Sequence, residues 1–284
     1  MKALIMAGGK GSRMSPCTLG LSKHLLPVYD KPMIFYPLSI AMLAGCQEIA
    51  IICDPDQLDT YKLTLGFLQK IGVNIKFITQ EAANGIPEGI ILAEDFLNGD
   101  DFLFLLGDNL LIGPNITSIL SRVRESNIST VFGYQVKDPR SYGVAKLSAT
   151  NSLEDIIEKP KNPPSNTAII GIYYYTQSAV MLAKELEPSA RGELEISDLN
   201  KALLRRNELN IETLGRGFTW LDLGTPERLL TAANLINSLQ AAQGYQIACL
   251  EEIAIRNKWI TARDISASPS ISIDNEYGNY LRTL

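Results

Sequence analysis

Glycines, cations and carboxylates placed at the ends of apolar runs carry the chemistry legible in this chain. Gly8, Gly9 and Gly11 come directly after Ala3-Leu4-Ile5-Met6-Ala7, a run the length of a buried strand. With no Cβ in the way, backbone N–H groups there can come close to an anionic ligand. Ser12, Arg13 and Lys23 follow, so strand, glycine turn and cations together predict a phosphate cradle. Asp108 and Asp222 each close an apolar run, in Phe-Leu-Phe-Leu-Leu-Gly-Asp and Phe-Thr-Trp-Leu-Asp. Carboxylates at strand ends suit Mg²⁺, which takes one or two protein carboxylates together with substrate phosphates and water.

Two common glycine motifs do not account for the loop. The spacing G-x-x-x-x-G-K-[ST] of a P-loop is absent. A dinucleotide fingerprint would place its third glycine where Met14 stands. It also requires a helix directly after the glycines, whereas Pro16, Pro27 and Pro32 keep the following stretch extended or turning.

The elements that must hold these residues follow from the apolar pattern. Strands are expected at 3–7, 48–53, 74–79 and 101–106, with helices at 33–44, 55–70 and 87–96 between them. Pro37 sits inside the first of these helices, and Asp54 and Pro55 read as N-cap and first residue of the second. Near-continuous apolar strands alternating with helices predict a doubly wound α/β core with a mostly parallel sheet. In such sheets ligands bind outside the carboxyl ends of the strands, where Gly8 to Arg13, Gln80 and Asp108 all lie. From 129 onward strands dominate (130–136, 143–147, 153–158 and 168–175), then helices at 177–186 and 195–206 and strands near 211–214 and 218–221. This predicts a mixed-sheet extension. Thr225 and Pro226 open a long helix to 243, and apolar residues beyond Gly244 predict a small helical appendage. The expected division is a core domain over 1–243, in two parts at about 1–128 and 129–243, and an appendage over 244–284.

Composition narrows the class. A formal charge of -5 argues against a general nucleic-acid or anionic-membrane surface. No apolar run reaches the ~18–20 residues of a membrane span. The chain opens straight into a strand, so no signal peptide is expected. Cys17, Cys46, Cys53 and Cys249 are scattered without a C-x-x-C, which predicts reduced, structural thiols and a cytoplasmic protein. His24, the only histidine, reads as a packing residue or a support for site residues, and not as a catalyst.

The string Met6-Ala7-Gly8-Gly9-Lys10-Gly11-Ser12-Arg13-Met14, then Pro16, then Ser22-Lys23-His24-Leu25-Leu26-Pro27 resembles the signature of the sugar-1-phosphate nucleotidylyltransferases. Leu-Gly-Asp-Asn and Trp-Leu-Asp-Leu-Gly-Thr, around Asp108 and Asp222, resemble that family's two metal-binding motifs. Tyr142-Gly143-Val144, Glu158-Lys159-Pro160, Gly171-Ile172-Tyr173 and the run from Ser189 to Ile196 look like its sugar-phosphate site. The resemblance implies that Glu158 holds sugar hydroxyls beside Tyr142, Tyr173 and the backbone of Gly143 and Ile169, with Lys159 and Arg191 on the sugar phosphate. Gln80 and Gly85 would read a pyrimidine, since Gln donates and accepts side by side. Pro87 and Glu88 depart from the family pattern, as do Ile170 and Leu223.

The implied reaction joins dTTP and glucose 1-phosphate into dTDP-glucose, feeding deoxysugar synthesis. A phosphate oxygen of the sugar 1-phosphate attacks the α-phosphorus, and pyrophosphate leaves. Arg13, Lys23, Lys159 and Asp108 would carry catalysis with Mg²⁺, needing no protein nucleophile, in a homotetramer. A UTP or other hexose 1-phosphate enzyme, or a non-catalytic sugar-nucleotide sensor, is the alternative.

Overall fold

The computed structural model describes residues 1–284 apart from the side chains of Ser266 and Ala267. Its apolar runs are strands because a pleated backbone covered on both faces hides a continuous apolar stretch. Thr167–Tyr175 is buried throughout, and Glu48–Cys53 from its second residue onward. The α/β class expected from the alternation is the class observed, with a mixed sheet. Two compact units form, neither continuous in sequence: Met1–Met6, Ala82–Leu105 and Ile112–Trp220 in one, Ala7–Glu81, Leu106–Leu111 and Leu221–Leu284 in the other.

In the first unit Thr167–Tyr175 pairs antiparallel with Phe102–Leu106 and with Ser129–Gln135. Leu153–Glu158 lies antiparallel to Gly143–Leu147, setting Glu158 opposite Gly143. Leu209–Thr213 runs parallel to Ser129–Gln135. Phe102, Phe104, Tyr173 and Tyr175 form an aromatic cluster, with Tyr173 stacked on Tyr175 at 5.5 Å. The buried Tyr175 hydroxyl donates to Asn200 Oδ1 at 2.6 Å, the partner that a phenol needs inside a core. Helices Ser178–Lys184 and Ile196–Arg205 fall where expected. The helix expected at 87–96 is divided at Ala93 into Ile86–Leu92 and Glu94–Leu97.

In the second unit Glu48–Cys53 runs parallel to Asn74–Thr79 in register from Glu48 opposite Asn74 to Cys53 opposite Thr79. Helix Phe35–Leu43 is buried nearly all round. Pro37 is tolerated because it lies in the first turn, where its missing N–H would have had no partner within the helix. The expected 55–70 helix is three pieces, Pro55–Gln57, Leu58–Leu65 and Gly66–Ile71, with the α-helical part ending at Gly66. Pro226–Gln243 begins as expected, with Thr225 accepting from the Arg228 N–H at 3.4 Å and Gly244 closing it at φ 73.

The tail beyond Gly244 is helical and belongs to this same unit. Asn257 Nδ2 donates to the Met42 carbonyl at 2.7 Å. Lys31, buried on the ribbon formed by Pro27–Val28 and Lys31–Pro32, contacts both oxygens of Asp30 at 2.7 Å and lies 5.2 Å over the Tyr277 ring. The Tyr277 hydroxyl in turn donates to the buried Glu251 at 2.6 Å. Strand Asn109–Ile112 and helix Ile116–Glu125 lie outside the expectations. Of the cysteines, Cys17 is exposed and the other three are buried, all as free thiols, so Cys17 does not have the packing role expected of it. Among the described residues no helix is long and apolar enough to cross a membrane.

Candidate active site

The glycine turn is built around Gly11, which adopts φ 57 just before the turn Ser12–Met14. A Cβ there would stand 3.1 Å from both Lys23 Cβ and Thr18 Cγ2, so a bare α-carbon lets the turn close on the Lys23 stem. Gly9 N–H points to Asp54 Oδ1 at 3.4 Å. Asp54 does precede Pro55, but its side chain makes no cap hydrogen bond and reaches the glycine turn instead. Gln80 is buried, and its N–H donates to the Cys53 carbonyl at 3.0 Å.

Lys23 carries its ammonium to Asp108 Oδ2 at 2.5 Å. Burial alone would push the Asp108 carboxyl up. The Lys23 ammonium and an Asn109 Nδ2 hydrogen bond at 3.0 Å outweigh it and hold the group below its ordinary range. Asp222 ends strand Thr219–Asp222, and the Leu223 N–H donates to the Asp108 carbonyl at 2.8 Å. Burial, and then the charge of Asp108, raise the Asp222 carboxyl above its ordinary range, against Arg228, Arg13 and Lys23. Asp222 Oδ2 meets Arg228 Nη1 at 2.6 Å, and Oδ1 accepts from Gly224 N at 3.0 Å. A Cβ on Gly224 would lie 2.8 Å from Arg13 Nη2, so this glycine gives the Arg13 guanidinium its place beside Asp222. Glycine turn, Arg13, Lys23, Asp108 and Asp222 are therefore gathered in one unit. Two carboxylates are a hard-oxygen donor set that fits Mg²⁺. No group of three or more His, Cys, Asp or Glu suited to a metal occurs among the described residues.

His24 is a packing residue, as expected. It is buried, with Nδ1 at 3.2 Å from Ser22 Oγ and 3.4 Å from the Tyr61 hydroxyl, which donates to the Ala7 carbonyl at 3.2 Å.

The first unit holds the other expected set. Gly143 and Glu158 face each other, and a Cβ on Gly143 would lie 3.3 Å from Glu158 Oε2 and 4.0 Å from Ile169 Cβ. Lys159, at φ 43, donates its N–H to the Tyr142 carbonyl at 3.0 Å, and its ammonium lies 3.3 Å from Glu158 Oε1. The Tyr142 ring meets Trp220 edge-on at 5.1 Å. Arg191 is held by Glu195 through Nε at 3.1 Å and Nη2 at 2.7 Å, while Ser189 Oγ donates to Glu195 at 2.7 Å. Burial raises the Glu195 carboxyl, but the Arg191 and Ser189 hydrogen bonds and the nearby Lys159 charge bring it below its ordinary range. Tyr173 is buried in the aromatic cluster. Gly85, at φ 107, opens helix Ile86–Leu92 and bridges to Leu194. A Cβ there would stand 2.2 Å from the Leu194 carbonyl oxygen.

A family profile described as nucleotidyl transferase matches residues 2–238. The chain belongs to the nucleotidyl transferase family. A glucose-1-phosphate thymidylyltransferase of Neisseria meningitidis is 44% identical over 285 residues, covering 100% of this chain and 99% of its own. One from Xanthomonas campestris is 45% identical, covering 100% and 96%. The crystal structure of a candidate glucose-1-phosphate thymidylyltransferase from Bacillus anthracis, in complex with sucrose, matches at TM-score 0.78 and 34% identity over 89% of this chain and 99% of that one. A UDP-glucose pyrophosphorylase complexed with UDP-glucose matches at TM-score 0.75 and 25% identity, over 84% of this chain and 98% of that one.

Three side chains of this nucleotidyl transferase escape a reading by motif. Arg228 lies in the first turn of a helix, where the dipole disfavours a cation, and that misplacement was its one sequence signal. Glu195 lies inside the Ser189 to Ile196 run, yet nothing local shows that it grips Arg191. Asp54 carries a strong cap signature that hides its reach back to Gly9.

Proposed function

We propose that this protein is a glucose-1-phosphate thymidylyltransferase, joining dTTP to glucose 1-phosphate with release of pyrophosphate. The observation that carries the reading is the glycine turn, Arg13, Lys23, Asp108 and Asp222 gathered in one unit, in a chain that matches named thymidylyltransferases from end to end. Gly8, Gly9, Gly11 and Ser12 offer backbone donors to the triphosphate, and Arg13 supplies a guanidinium there. Lys23 and Lys159 neutralise the phosphates that react. Gln80 and Gly85 read the pyrimidine. Glu158, Gly143, Ile169, Tyr142, Tyr173 and Arg191 hold the sugar phosphate.

A non-bridging oxygen of the sugar phosphate attacks the α-phosphorus, the bond to the β-phosphate bridging oxygen breaks, and pyrophosphate departs. That oxygen is already ionised at neutral pH, so no general base is required, and positioning with charge neutralisation supplies the rate. Asp108 and Asp222 would hold Mg²⁺, which supplies positive charge against that of the α-phosphate. The Arg191–Glu195 pairing keeps a phosphate-binding guanidinium oriented before the sugar arrives. The active form is proposed as a cytoplasmic homotetramer, which light scattering of the purified protein would check.

The test is pyrophosphate release over a matrix of dTTP, UTP, ATP and GTP against glucose, galactose and mannose 1-phosphates. The dTTP and glucose 1-phosphate pair should turn over fastest, UTP should follow, and both purine nucleotides should fail. A site built to hydrogen-bond one edge rejects a mismatched edge far better than it rejects a missing methyl. EDTA should abolish turnover and added Mg²⁺ restore it. Preference for UTP would instead favour the activity named in the UDP-glucose pyrophosphorylase neighbour.

A further inference from the structure

Each of the two carboxylates proposed as metal ligands already carries a basic side chain. Lys23 sits on Asp108 Oδ2 at 2.5 Å and Arg228 on Asp222 Oδ2 at 2.6 Å, with Arg13 beside Gly224 as a further cation. Two carboxylates against three cations leave this cluster with a net positive charge before any ligand arrives. A bare divalent ion would add to that excess, whereas a nucleoside triphosphate reverses it.

Arg228 differs from the other two cations in its setting. It stands in the first turn of Pro226–Gln243, where its backbone N–H donates to Thr225 Oγ1 at 3.4 Å. The N-terminal dipole repels a guanidinium, and the 2.6 Å ion pair with Asp222 offsets that repulsion. The guanidinium charge therefore sits on Asp222 Oδ2, where an arriving ligand must displace it.

We propose that Arg228 is a built-in counter-cation that makes the carboxylate pair a poor site for a bare divalent ion and a good one once a triphosphate is present. Metal and nucleotide then bind with positive coupling, and that coupling is reciprocal. The inference rests on the reading of Asp108 and Asp222 as metal ligands. It differs in sign from a purely structural role, in which Arg228 orients Asp222 and its loss would weaken metal binding.

The probe is Mn²⁺ alone, with the free ion counted by electron paramagnetic resonance against the full chain, followed by the same titration with dTTP present. Arg228→Met should bind bare Mn²⁺ about tenfold more tightly than the wild type, as expected for removing one nearby charge. The gain from adding dTTP should shrink correspondingly. Arg228→Lys should stay near the wild type, and Arg228→Gln serves as a second neutral variant should the methionine variant fail to fold. Unchanged or weaker binding of bare Mn²⁺ by the neutral variants overturns the inference. So does a gain that persists in Arg228→Met combined with Asp222→Asn, because the ion is then bound elsewhere. If Asp222→Asn leaves Mn²⁺ binding to the dTTP complex unchanged, the metal reading itself fails, and this inference fails with it.

Discussion

His24 is held neutral by its surroundings, and that has a measurable pH signature. Burial, and then the Lys23 charge, lower its pKa to about 3. An unfolded chain titrates near 6.5, so between those values the unfolded state binds the extra proton. The stability contributed is complete above pH 6.5 and is lost as pH falls toward 3, at roughly 1.4 kcal/mol per pH unit within the window. Thermal melts should therefore decline from pH 6 to pH 4 more steeply in the wild type than in His24→Gln. Parallel declines would show that the imidazole is not held neutral. Gly11 is the other residue with a sharp expectation. A valine at φ 57 is strained, and its Cβ meets Lys23 and Thr18 at 3.1 Å. Gly11→Val should weaken dTTP binding more than tenfold by calorimetry, while Tm moves by only a few degrees because the turn lies outside the core. Unchanged affinity in the folded variant would remove this turn from the nucleotide site.

At the scale of elements, Gly85 joins two segments that sequence places far apart. The Leu194 N–H donates to the Asn84 carbonyl at 2.8 Å, and the approach is so close that a Cβ on Gly85 would overlap the Leu194 backbone. Gly85→Ala should displace the segment carrying Arg191 and Glu195, raising the KM for glucose 1-phosphate at least severalfold. A KM equal to that of the wild type would mean that the segment is held in place by other contacts. Strand ends were legible because apolar runs stop abruptly at Gly8, Asp108 and Asp222, and polar residues there have few roles besides turns and ligands. The long helix was legible through Thr225, Pro226 and Gly244, which signal its ends locally. Helix Ile116–Glu125 was not expected, although its buried residues Ile116, Leu120 and Val123 carry the helical period; Asn115 before it offers no side-chain cap. The grips of Arg228 on Asp222 and of Asp54 on Gly9 were illegible for a different reason. Each depends on where a side chain points after folding, and no spacing rule encodes that.

For the whole molecule, the tail is the element to test. Residues after Gly244 share a compact unit with the glycine turn, and Lys31, Asp30, Tyr277 and Glu251 tie them into it through buried contacts. Removing 245–284 would take the Tyr277 ring from Lys31 and leave it to Asp30, and would expose the apolar face of helix Phe35–Leu43 against which Leu250–Arg256 packs. The truncated chain should lose its cooperative melting transition or aggregate on expression. A truncated protein that melts cooperatively near the Tm of the full chain would show the tail to be dispensable. The unit holding the glycine turn and both aspartates takes its first segment from Ala7–Glu81 and its last from Leu221–Leu284. On a ribosome, therefore, the glycine turn is made early and waits for most of translation before Asp222 emerges. A protein assembled in that order cannot finish folding from its N-terminus forward. Its nascent form lacks one of the two carboxylates until the last segment is made, and a premature stop before Asp222 should yield no partial enzyme.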